Sequence, residues 1–127
     1  MPLNHFTDSV YGIAESGVIY GSWGNTAVFG DGVYFTSYPP STGQAPVAQN
    51  NWDGIWEKAM NDHKMEGVIK IYDYKNSGHF EEVGWDGRDV WLCRTQLMDL
   101  SNYEWAAFTI EWSGNYLKKL TRIGGNH

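Results

Sequence analysis

The chain has 127 residues, with 15 glycines, seven Trp, eight Tyr, five Phe and one Cys, and its 15 Asp plus Glu against 9 Lys plus Arg give a net charge of −6. That length fits one domain able to bury a core, and 42% hydrophobic with 19% charged residues is globular rather than disordered composition. The lone Cys93 excludes an internal disulfide framework and a thiolate zinc cluster, and the absence of a Lys/Arg cluster argues against nucleic acid as a partner.

Histidines stand at 5, 63, 79 and 127, without the i, i+4 pairing that metal sites use, so no metal is expected. No apolar run approaches the ~20 residues of a membrane span, and MPLNHFTDSV does not read as a leader. The abundance of aromatics and Gly fits a β-rich fold with short connections, in which most Trp and Tyr pack the core.

In chain order, residues 3–6 read as extended, and Thr7-Asp8-Ser9 offers side-chain oxygens at a helix start. Val10, Ile13 and Ala14 repeat at helical spacing through Ser16, and Gly17 is placed for a left-handed cap. Residues 18–20 are extended, 21–32 form a loop, and 33–36 a strand that Pro39-Pro40 cannot continue. Residues 44–51 read as polar loop. A helix is expected over 52–64, with Trp52, Ile55, Trp56, Ala59 and Met60 on one stripe. Residues 68–74, 80–83, 89–94, 105–112 and 116–123 are extended candidates, although 116–120 equally fits a helical turn. The expectation is one α+β domain over 1–127.

General catalytic signatures are absent. There is no GxGxxG turn, no GK[ST] phosphate loop and no GxSxG elbow, and Cys93 sits in an apparent strand, which fits an inert buried thiol.

Three blocks in order carry a family resemblance. They are Asn4-His5-Phe6-Thr7 leading to Tyr11-Gly12-Ile13 and Glu15-Ser16-Gly17-Val18; Phe29-Gly30-Asp31-Gly32-Val33-Tyr34-Phe35; and Asn102-Tyr103-Glu104 with Asn115-Tyr116-Leu117-Lys118-Lys119-Leu120. They resemble the ADP-ribosyltransferase superfamily of the His-Tyr-Glu type, which includes diphtheria toxin and the poly(ADP-ribose) polymerases. The run Gly32-Val33-Tyr34-Phe35-Thr36 followed by Pro39-Pro40 is also similar to small toxin and effector ADP-ribosyltransferases with a His-Tyr-Asp signature.

The resemblance implies a split β-sandwich that holds NAD in a cleft between sheets. The implied activity is mono-ADP-ribosylation: nicotinamide is released and ADP-ribose passes to a macromolecule, a protein acceptor being expected. It implies His5, Tyr34 and Glu104 as the catalytic set, with His5 bonding a ribose hydroxyl, Tyr34 stacking on nicotinamide and Glu104 stabilising the cation. It further implies contacts to NAD from Phe6, Thr7, Tyr38 and Thr42. The family's second stacking Tyr falls at Ala45, so Tyr38, Trp52 and Trp56 are the candidates for the other ring wall. Asp99 competes with Glu104 for the acid, and Glu111 is a weaker rival. Two other readings stay open: an NAD glycohydrolase using the same residues, and a non-catalytic aromatic-rich β module. A monomeric toxin or effector acting in a cytosol completes the expectation.

Overall fold

The computed structural model describes residues 1–24, 27–84 and 86–127. It is a mixed α+β fold with four α-helices and antiparallel sheets among these residues. In chain order the elements are β1 (Leu3–Phe6), α1 (Val10–Ser16), β2 (Val18–Tyr20), β3 (Val33–Phe35), α2 (Gln44–Asn51), α3 (Trp56–Asn61), β4 (Gly67–Ile71), α4 (Tyr74–Ser77), β5 (Phe80–Glu82), β6 (Trp91–Cys93), β7 (Leu97–Asp99), β8 (Trp105–Ser113) and β9 (Tyr116–Gly125).

A four-stranded sheet runs β1-β4-β8-β9, a three-stranded sheet β3-β6-β5, and a pair β2-β7. A single bridge, Asn4 to Thr36, joins the outer edge of β1 to the end of β3, with reciprocal N–H to carbonyl bonds of 2.8 and 2.9 Å. The two larger sheets therefore meet at one point and part beyond it.

Strand alternation sorts the side chains into layers. Leu3, Ile69 and Ile71 face a core completed by Val33, Phe35, Trp105 and the inner face of α1. Phe6 and Val68 face the other way, onto Val47 and Ala48 of α2 and the half-buried Trp52 and Trp56. A smaller cluster, Phe29, Val83, Val90 and Leu92, receives Tyr34.

The helix after the first strand ends as its sequence dictates: Gly17 adopts φ 72° and returns its N–H to the Ile13 carbonyl at 2.8 Å. At its start Ser9 makes no side-chain cap, and of the side-chain oxygens in Thr7-Asp8-Ser9 it is Thr7 Oγ1 that accepts from the Ser9 N–H, at 2.9 Å. The expected 52–64 helix is corrected to the shorter α3. The chain turns at Asp53-Gly54, with Gly54 at φ 84°, and Ile55 of the expected apolar stripe is exposed. The expected loop over 44–51 is helical; Pro46 falls in its first turn, where a missing N–H costs nothing, and Val47 and Ala48 are fully buried. The ambiguity at 116–120 resolves to strand, paired along β8. No helix among the described residues is long and apolar enough to cross a membrane.

Candidate functional site

Where β1 and β3 part, the chain leaves a cleft of about 560 Å³. Its floor is the C-terminal end of β1. Alternation along an antiparallel strand points the backbone of every second residue to the same side. Asn4 bonds towards β3 and Thr7 bonds towards β4, its N–H reaching the Gly67 carbonyl at 2.9 Å. The N–H and carbonyl of Phe6 consequently face the gap, where β3 has diverged.

His5 and Tyr34 meet across this gap. The Nδ1–H of His5 donates to the Tyr34 carbonyl at 2.8 Å, since a carbonyl can only accept. Burial holds the imidazole pKa below its ordinary 6.5; the Tyr34 carbonyl pulls it back up and the charge of Lys64 lowers it further. The ring is thus the neutral Nδ1–H tautomer, with the Nε2 lone pair left as an acceptor. Its tilt against Phe35, at 5.6 Å between centroids, fixes its plane.

Tyr34 is pinned at its other end. Its hydroxyl donates to the Gly30 carbonyl at 2.6 Å and accepts from the Phe29 N–H at 2.7 Å. Burial raises its pKa, so the phenol stays protonated and keeps both bonds. Such a tether immobilises the ring without consuming its faces.

The opposite wall comes from the segment between α2 and α3. Asn50, in the last turn of α2, donates to Thr36 Oγ1 at 3.3 Å and exchanges two 2.8 Å bonds with the backbone of Asp89. Thr36 and Tyr34 project from the same face of β3, so this clamp brings the following residues, Trp52 and Asp53, to Tyr34's side of the sheet. Both line the cleft, as do Ile55 and Lys58.

Three cations border it: Lys58, Lys64 and Arg88. Each is paired, Lys58 with Asp62, Lys64 with Asp8 at 3.2 Å and Arg88 with Asp86 at 2.7 Å, and the Arg88 guanidinium lies 5.1 Å from the Phe29 ring centre.

Of the residues singled out in the sequence, His5, Phe6, Tyr34 and Trp52 line this cleft. The others lie elsewhere. Thr7 is buried and occupied by its turn. Tyr38 and Thr42 are exposed and outside the lining, the latter closing a 3-10 turn over Pro40–Thr42. Trp56 packs beneath α3, and the Ala45 N–H is held by Asn115 Oδ1 at 2.6 Å.

The carboxylates that the third block pointed to also stand apart. His5, Ile69 and Ala107 form one row of the sheet, and Glu104 lies three residues before Ala107 in the chain, just ahead of the start of β8. With ~3.3 Å per residue and ~4.8 Å per strand, its backbone is roughly 14 Å from that of His5. There Glu104 is exposed, 3.7 Å from the His127 ring nitrogen, with its N–H held by Asp73. Glu111 lies opposite Lys119 on the exposed hairpin.

Asp99 borders a second cleft of about 500 Å³, which also contains Cys93, Tyr103 and His79. Burial pushes the Cys93 thiol pKa up, against the character of a nucleophile. The Tyr103 hydroxyl, itself raised to about 12, bonds His79 Nδ1 at 2.8 Å.

Asp53 is among the cleft residues that sequence reasoning missed, with Asp62 and the three cations. For Asp53 the signal was present, since Asp-Gly marks a turn, but the apolar stripe spanning 52–60 masked it. Comparison with family models, curated proteins and solved structures returns no match to this chain.

Proposed function

We propose that the chain is a mono-ADP-ribosyltransferase that binds NAD in the cleft between β1 and β3. One observation carries the reading: residues of the first two sequence blocks, His5, Phe6 and Tyr34, converge with Trp52 on a single cleft, with the His5 imidazole and the Tyr34 hydroxyl fixed by hydrogen bonds.

The chemistry fits nicotinamide. A primary amide needs one donor and one acceptor side by side, and the free N–H and carbonyl of a splayed strand edge at Phe6 offer that pair. The tethered Tyr34 ring provides a face for the pyridinium, with Trp52 as the opposing wall. The Nε2 acceptor of His5 takes a ribose hydroxyl. Lys58, Lys64 and Arg88 give the diphosphate a cationic border in an otherwise acidic chain. Held in this way, the dinucleotide is bent so that the nicotinamide ribose is open to an acceptor. In this reading the domain has the split β-sandwich of that superfamily.

A second reading, a module that binds without cleaving, is favoured by the position of Glu104 and Asp99 outside the cleft. NAD labelled on its adenine ring separates the two. A transferase releases nicotinamide and leaves label on protein from an added cell extract; a glycohydrolase leaves free ADP-ribose; a binding module gives neither. Wild-type protein that releases no nicotinamide overturns the proposal.

A further inference from the structure

Breaking the bond between C1′ of ribose and N1 of nicotinamide sends the electron pair to the nitrogen. The leaving group becomes neutral, and positive charge spreads over C1′ and the ring oxygen. An acceptor heteroatom then bonds to C1′ and loses its proton. A fixed anion beside that ribose lowers the barrier by stabilising charge that exists only in transit.

Among the described residues, the carboxylates lining the cleft are Asp53 and Asp62. Asp62 is committed to Lys58, on whose helix it forms the C-terminal cap. Asp53 makes no hydrogen bond or ion pair with any described residue. It adjoins Trp52, and the Asn50 clamp carries both to the face of β3 from which Tyr34 projects. The left-handed backbone at Gly54, φ 84°, turns the chain immediately after it, so Asp53 is presented from a corner rather than from the side of a helix.

Resting on the NAD-cleaving reading above, we infer that Asp53, and not Glu104 or Asp99, is the carboxylate that stabilises the ribosyl cation. Its carboxylate makes no covalent bond. It faces the developing charge and accepts the proton that the acceptor loses.

The test compares nicotinamide release by wild type, Asp53→Asn, Asp53→Ala, Asp62→Asn and Glu104→Gln. Asp53→Asn is expected to lose on the order of 10²–10³ in kcat while the KM for NAD changes little. Glu104→Gln is expected to keep wild-type kcat, and Asp62→Asn, which releases Lys58 at the cleft border, is expected to lose far less than Asp53→Asn. Formate, a free carboxylate small enough for the emptied corner, is expected to restore part of the Asp53→Ala rate, which a purely structural loss would not permit. Equal melting temperatures of wild type and Asp53→Asn exclude a folding defect, the residue being exposed. Wild-type kcat in Asp53→Asn, or a collapse confined to Glu104→Gln or to Asp62→Asn, overturns this assignment and leaves the NAD-cleaving function standing. No release by wild type overturns the function and the assignment together.

Discussion

His5 Nδ1 donates to the Tyr34 carbonyl at 2.8 Å, tying the end of the first strand to the middle of the third at the level where the two diverge. This bond replaces the ladder that the strands cannot continue, and it decides which imidazole nitrogen faces the cleft.

The pKa of His5 gives it a recognisable pH signature. Its folded value lies below the unfolded 6.5, so the unfolded chain takes up the proton first. Stability is therefore full above 6.5 and falls as pH drops from 6.5 through the folded value. The expected outcome is a melting temperature that declines from pH 7 to 5 in wild type and declines less in His5→Gln. Exposed His63, raised by Glu66, acts in the opposite direction but is common to both proteins and cancels.

Removing the Tyr34 hydroxyl separates tether from ring. Tyr34→Phe leaves the Phe29 N–H and the Gly30 carbonyl without this partner and is expected to cost about 1–3 kcal/mol, lowering the melting temperature by several degrees. The ring face remains, so the KM for NAD should stay close to wild type. Tyr34→Ala, by contrast, should raise KM sharply. Thermal melting read beside nicotinamide release distinguishes the two effects.

Lys70 is a buried cation bonded to Asn4 Oδ1 at 2.8 Å, without a carboxylate among its described partners. Desolvation lowers its pKa to about 8 from 10.5. The folded protein releases this proton before the unfolded chain does, so stability rises with pH across that interval. The limit is about 1.4 kcal/mol per pH unit, less where solvent screens the group. Cys93, whose raised thiol pKa acts in the opposite direction over this range, is common to both proteins, so on going from pH 8 to 9.5 the denaturant midpoint of wild type should shift upward relative to that of Lys70→Met.

Asn50 closes the cleft wall chiefly through its side chain. Asn50→Ala abandons the Asp89 N–H and carbonyl together with one bond to Thr36, an expected loss of about 2–4 kcal/mol by urea denaturation. Asn50→Asp keeps the acceptor towards the Asp89 N–H. It loses both donors and sets a second negative charge beside Asp89, so it is expected to be no better than alanine.

Strong local signals were legible in the sequence. Leu3–Phe6, Val10–Ser16 and Val18–Tyr20 were delimited by β-branched or aromatic runs and by a glycine suited to the left-handed region. The elements that escaped reading are held by distant partners. Gln44–Asn51 has little apolar content, and it is helical because Val47 and Ala48 cover Phe6 and Val68. Leu97–Asp99 is a strand because it pairs with Val18–Tyr20. The cleft was legible to the extent that one strand end and one aromatic strand composed it, hence His5, Phe6 and Tyr34. Asp53 and the cations arrive from separate segments, a turn, α3 and two loops, that tertiary contacts such as the Asn50 clamp bring together, and no local pattern encodes that.

The first strand also sets a timetable. Leu3 pairs with Ile71 and Phe6 with Val68, so a chain growing from its N-terminus has no place to lay β1 until β4 has been made. β4 in turn is flanked by β8, which pairs with it through Thr109. Contacts so far apart in the chain form slowly, because a long loop must close before they are rewarded. The gap that exposes the Phe6 backbone therefore cannot exist before β4 has been made. A ligand pocket built on that gap is absent from the growing chain until then.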